Sequence, residues 1–124
     1  MRQAERDVAH ACHASDDHDF EWSCFAAQQA AEKAVKALYE KKRIEGWGHT
    51  VSKLLRGLAS EVTVPKEVAE AALRLDKHYV PTRYPNGFES GAPGDFYTEG
   101  EAAKAIEDAR AIIEFCREAI SRAQ

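Results

Sequence analysis

The 124-residue chain is short of the features that would commit it to an oxidised, metal-bound or membrane-embedded setting. Its three cysteines, Cys12, Cys24 and Cys116, are an odd number with no CxxC spacing; a reduced cytoplasm is the expected compartment. No apolar run approaches membrane-spanning length, and the opening MRQAERDVAH lacks the apolar core of a signal peptide, so no membrane partner is expected. Alternation of the β type is absent throughout. The formal charge of −4 argues against nucleic-acid binding through bulk charge. His10 and His13 stand one turn apart, with Cys12 between them and His18 beyond. No carboxylate or second cysteine falls at a ligating spacing, so the reading is a solvated histidine face, and no metal or cofactor is expected.

What is present is helical periodicity. Residues 2–15 place Ala4, Val8, Ala11 and Ser15 on one side, and SDDHD at 15–19 supplies cap oxygens for the next start. From Phe20 the apolar positions Phe20, Cys24, Ala27, Ala31, Ala34 and Leu38 step by four and three, a bundle seam. Beside it run Gln28, Gln29, Glu32, Lys33 and Lys36 among small alanines, so this helix is expected to be central and contacted on more than one side. Gly46 and Gly48 are expected to end it. A short helix follows His49-Thr50 with Val51, Leu54, Leu55 and Leu58 inward. Pro65 opens a fourth helix through Val68, Ala72, Leu75 and Tyr79, whose expected stop is set by Pro81. Thr98-Glu99-Gly100-Glu101 has the form of a capping box ahead of a last helix with Ala102, Ile106, Ala109, Ile113, Cys116 and Ile120 in heptad register. The expected architecture is one all-α domain over residues 1–124. It is an up-down four-helix bundle with one additional short helix and a long irregular loop before the C-terminal helix.

That loop, residues 80–98, holds three of the four prolines, three of the seven glycines and four of the eleven aromatics. Long structureless stretches inside compact domains are usually functional or disordered, and one wall of any site is expected here. A second local feature is charge. Between Lys33 and Arg56 seven cations face only Glu40 and Glu45, a window of net +5 on an otherwise acidic chain. Two readings stand open for it, an anionic ligand or complementation of a helix C-terminus.

Three ordered motifs carry a resemblance. The run from Cys24 to Leu38, CFAAQQAAEKAVKAL, resembles the second helix of HEPN domains, small helical domains named for higher eukaryotes and prokaryotes and for nucleotide binding. Gly48-His49-Thr50 followed by Leu54-Leu55 resembles their third-helix start. Asp76 to Tyr79, then Thr82-Arg83-Tyr84-Pro85-Asn86 and Tyr97-Thr98, resembles the signature after the fourth helix. The resemblance covers nearly the whole chain. It implies a helical bundle that dimerises, working beside a minimal nucleotidyltransferase in a toxin–antitoxin-like pair. Many members are metal-independent ribonucleases with an Arg followed four to six residues later by His. Here Arg83 is followed at those offsets by Gly87, Phe88 and Glu89, and no histidine occurs after His78.

The expected function is therefore binding of a nucleotide or nucleic-acid phosphate. Arg83 contacts phosphate in this reading, Thr82, Tyr84 and Asn86 shape the pocket, and Lys33 and Gln29 stand on an opposing helix. Arg83 pairing with Asp76 or Asp95, or capping a helix C-terminus, is the structural alternative, and His49 either orders the Gly46–Gly48 turn or takes part in chemistry. Two other functions remain open. One is a ribonuclease with Arg83 and a non-standard base, His78; the other is a structural adaptor for a protein partner.

Overall fold

In a computed structural model, which describes residues 1–79 and 97–123, the periodic stretches form five helices. They are α1 (Arg2–Asp16), α2 (Phe20–Lys41), α3 (Val51–Gly57), α4 (Lys66–Asp76) and α5 (Glu99–Arg122). No strand occurs among the described residues, and no helix is long and apolar enough to cross a membrane. The expected all-α bundle with one short helix is the observed fold. Thr82, Arg83, Tyr84 and Asn86 lie outside the described residues.

The long helices α2 and α5 form the central pair. Their facing stripes explain why: Ala27, Ala30, Ala31 and Ala34 on α2 and Ala102, Ala105 and Ala109 on α5 are buried, and small side chains let the backbones approach. Helix α1 packs on both, α4 packs chiefly on α5, and α3 bridges α2 and α4. As expected for a central element, α2 touches every other helix. Its buried set includes polar Ser23, Gln28 and Glu32 as well as the apolar seam. Three polar contacts fix the packing register. Ser23 Oγ donates to the Ala11 carbonyl at 2.8 Å, tying α1 to α2. The Arg74 guanidinium grips buried Asp108 through two bonds of 2.9 and 3.0 Å, tying α4 to α5. Asp76 accepts from the Val51 N–H at 2.8 Å and from Ser52 Oγ at 2.5 Å, so the end of α4 caps the start of α3.

Two helix ends differ from expectation. Helix α2 stops at Lys41, before Gly46 and Gly48. The Arg43 N–H bonds the Glu40 carbonyl and the Ile44 N–H bonds the Tyr39 carbonyl, both at 3.0 Å, with Arg43 at φ 59. This is a Schellman stop with arginine at the position glycine usually takes. His18, φ 61, plays the same part after α1, where the Asp19 N–H reaches the Ala14 carbonyl at 2.7 Å. Helix α4 ends at Asp76 and does not run on to Tyr79: its last turn tightens, the Lys77 and His78 N–H groups bonding three residues back to Arg74 and Leu75. The capping box at Thr98 and Glu101 forms as expected.

Candidate functional site

Gln28, Glu32 and Lys36 follow at intervals of four on α2, so they share one stripe of the helix, beside the start of α3. Gln28 is fully buried; its amide Nε2 donates to the His49 carbonyl at 2.9 Å, and its Oε1 accepts from Gln29 Nε2 at 2.8 Å. Glu32, 5% exposed, is the hub. Its carboxylate accepts from Lys36 Nζ at 3.0 Å and lies 3.0 Å from His49 Nδ1, with the Gln28 and Gln29 amides at 3.4 Å. A buried carboxylate is tolerable only with such partners.

The pair with Glu32 also determines what His49 can do. A carboxylate acceptor places the imidazole proton on Nδ1 and leaves Nε2 as the free acceptor. The ring stacks on Tyr79 (centroids 5.1 Å apart, planes 9° apart) and keeps more than half its surface open. Tyr79 in turn neighbours Phe25 at 6.3 Å, and Phe25 meets Trp22 edge-on at 5.6 Å. An aromatic wall thus runs from α2 to the end of α4, with the outer nitrogen of His49 at its edge.

The residues singled out from sequence fall in different places. Gln29 and Lys33 share the half-exposed face of α2, one turn apart. Lys33 reaches across to buried Asp7 on α1 at 2.6 Å, and Gln3 Nε2 supports the same carboxylate at 3.0 Å. Asp76 is engaged at the start of α3. His78 is on the α5 side: its ring lies 6.0 Å from that of Tyr97, and burial pulls its pKa down against the opposing pull of Glu101 and Asp108. His78 thus meets Tyr97 beside α5, while His49 lies against Gln28 and Glu32 of α2. His49 orders the turn, its carbonyl accepting from Gln28 and its Nδ1 pairing with Glu32, while its ring stays more than half exposed. The Glu32–His49 pair was missed because its members are 17 residues apart. The signal that could have found it was the Gln28–Glu32–Lys36 stripe opposite Gly48-His49-Thr50.

Among the cysteines, Cys24 and Cys116 are fully buried, and burial pushes both thiols up to about 12, so they behave as small hydrophobes. His10 and His13 are exposed on α1, and no group of three metal-ligating side chains forms among the described residues.

Electrostatically the α2 face is balanced, Lys33 against Asp7 and Lys36 against Glu32. It offers ammonium donors, amides, one oriented imidazole and an aromatic wall. That set suits hydrogen bonding to a phosphate and stacking on a base, with one group able to carry a proton.

Comparison with known proteins agrees with the fold. The crystal structure of TT1696 from Thermus thermophilus is 42% identical and superposes with a TM-score of 0.91, covering 95% of this chain and 93% of that one. The archaeal HEPN homologue ST0689 is 39% identical with a TM-score of 0.82, covering 96% of this chain and 93% of its own. The HEPN domain protein tm0613 from Thermotoga maritima is 37% identical with a TM-score of 0.79, over 96% and 94%. A curated relative, "Putative toxin MJ1304" of Methanocaldococcus jannaschii, is 28% identical over 127 residues, 95% of this chain and 84% of that protein. Residues 1–119 match the HEPN domain model, and with homologous structures of 37% identity or more the chain belongs to the HEPN domain family.

Proposed function

We propose that this HEPN protein binds a nucleotide or a nucleic-acid phosphate on the open face of α2. In this reading it is a toxin-type homodimer acting in the cytoplasm beside a minimal nucleotidyltransferase. The observation that carries the binding reading is the Glu32–His49 pair, a buried carboxylate holding an exposed imidazole at the edge of an aromatic wall. Similarity to a protein named as a toxin supports the toxin-type role. Gln29 and Lys33 supply donors from the same face; an ammonium has three N–H groups, and Asp7 takes one from Lys33. Arg83, with Thr82, Tyr84 and Asn86, is the phosphate clamp on the strength of the sequence signature, since guanidinium geometry matches phosphate oxygens.

Isothermal titration with ATP, AMP and a short RNA tests the reading. Binding of at least one is expected, weakened about tenfold or more by Arg83→Ala, the loss of a charge-assisted bond. Silence with all three removes it. For the partner, a nucleotidyltransferase reading frame beside the gene is the expected context, and its absence removes that assignment.

The same pair favours a second reading, a metal-independent ribonuclease. A histidine oriented by a carboxylate is the arrangement of a general base, and His49 Nε2 could take the proton of a ribose 2′-hydroxyl. His78, half-buried with its basicity lowered, is less suited to that work. Structured RNA incubated with the protein in chelator would then be cut, and His49→Ala would abolish the cleavage. RNA left intact at high protein concentration would remove this reading.

A further inference from the structure

We propose that the turn after α2 is a docking point for single-stranded nucleic acid. Trp47 is the stacking platform, and Lys41, Lys42 and Arg43 are the phosphate contacts. The inference rests on the nucleic-acid form of the function proposed above and extends it from one phosphate to a strand.

Trp47 is 81% exposed, against 52% for Trp22. An indole so far in water is an apolar surface with little covering it among the described residues. The turn that carries it is held at Gly46 and at His49. A side chain at Gly46 would place its Cβ 2.9 Å from the Tyr39 ring, and Gly48 has φ +96, so both neighbours of Trp47 need to be glycine. The Tyr39 hydroxyl donates to the Leu54 carbonyl at 2.7 Å, and Gln28 holds the His49 carbonyl. Such a turn presents Trp47 outward by construction. Beside the indole a cleft of about 330 Å³, lined by Lys36, Tyr39, Ile44 and Glu45 among others, gives a planar group room to enter.

The charges point to the same ligand. Lys41, Lys42 and Arg43 have no ion pair among the described residues, as is also true of Arg2, Arg6, Lys53, Arg56, Lys66, Lys77, Arg110 and Arg122; these three are set apart by being consecutive at the end of α2 and lining one cleft. Lys41 and Lys42 complement the negative end of α2. Arg43 does so in the left-handed region, where a residue with a Cβ is strained and glycine would be at ease. Keeping a cation there at a backbone cost is unexplained by the helix end alone. Glu40 and Glu61 share the neighbouring cleft with the three cations, which limits the contact to a few phosphates. A flat aromatic beside unpaired cations fits a base and its phosphates; an acidic peptide would use the charges and leave the indole idle.

With Trp22→Phe in the full chain, Trp47 is the sole indole and reports stacking directly. Oligouridylate is expected to quench its emission and to bind at least tenfold more tightly than AMP. Labelled-oligouridylate anisotropy with Trp47→Ala, which removes only an exposed side chain, decides independently; about 5- to 100-fold weaker binding is expected, with AMP affinity unchanged. Replacing Lys41 and Lys42 by Gln should lower the salt slope by about 0.7 for each phosphate no longer neutralised. Oligouridylate bound without quenching and unaffected by Trp47→Ala overturns this inference and leaves the α2 phosphate site standing. AMP bound as tightly as the oligomer also overturns it. Equal quenching by polyglutamate overturns it in favour of an acidic protein partner. Failure of both AMP and oligouridylate to bind overturns the site reading as well.

Discussion

Glu32 and Arg43 are two charged residues that the chain holds in positions it could fill more cheaply, one buried and one strained. Glu32 is compensated by four donors from α2 and the α3 turn, so Glu32→Ala removes the acceptor that Lys36, the His49 ring and the two amides share, leaving the buried Gln28 amide only the His49 carbonyl. A stability loss of about 1–3 kcal/mol is expected by denaturant unfolding, together with weaker nucleotide binding; an unchanged midpoint would mean the hub is decorative. Arg43 is uncompensated. Arg43→Gly relieves the left-handed strain and should raise stability by up to about 1 kcal/mol, seen as a higher midpoint. The same variant should lose oligonucleotide affinity. A destabilised Arg43→Gly would show that the side chain contributes to the fold after all.

At the scale of elements, the helices are held in register by a few polar ties across otherwise alanine-rich seams. Small residues permit close approach but give little directional information, so a slip along α4–α5 would cost little apolar contact. The two-pronged Arg74–Asp108 pair supplies the direction. Removing the guanidinium in Arg74→Ala strands a carboxylate that is 2% exposed, with Lys104 at 3.7 Å its one remaining cation among the described residues. Destabilisation of about 1–3 kcal/mol is expected, measured by thermal or urea unfolding, and a loss under about 0.5 kcal/mol would place the tie among ordinary surface pairs. Element ends were the least legible part of the sequence. Capping by Thr98 and Glu101 could be read because its partners are three residues apart. The stop of α2 could not, because the glycines that looked like its end serve Tyr39 and Trp47, and an arginine takes the left-handed position.

Over the whole molecule two partly buried ionisable groups oppose each other with pH. Burial first, and Asp19 second, raise the Glu21 carboxyl above 4.5, so its contribution is present at low pH and is lost as pH rises through the raised value. Burial lowers His78 below 6.5, so its contribution is present above 6.5 and is lost as pH falls through the lowered value. Glu21→Gln removes the first effect, and its unfolding midpoint should climb more steeply with pH than that of the wild type from about 4.5 upward; parallel curves would refute the assignment. Assembly is the other molecular-scale expectation. The exposed Ile44 and Leu73 leave apolar surface that one bundle does not use. Sedimentation at micromolar concentration should give about twice 13.8 kDa, and a single 13.8 kDa species would refute the dimer. The sequence by itself determined the helix seams, the all-α class and the family, because a 3.6-residue period and ordered local motifs are properties of neighbours along the chain. Only the tertiary structure decided that Glu32 pairs with His49 and that Asp76 caps α3. Those pairings join residues 17 and 25 positions apart, and where two helices bring such side chains together depends on their packing.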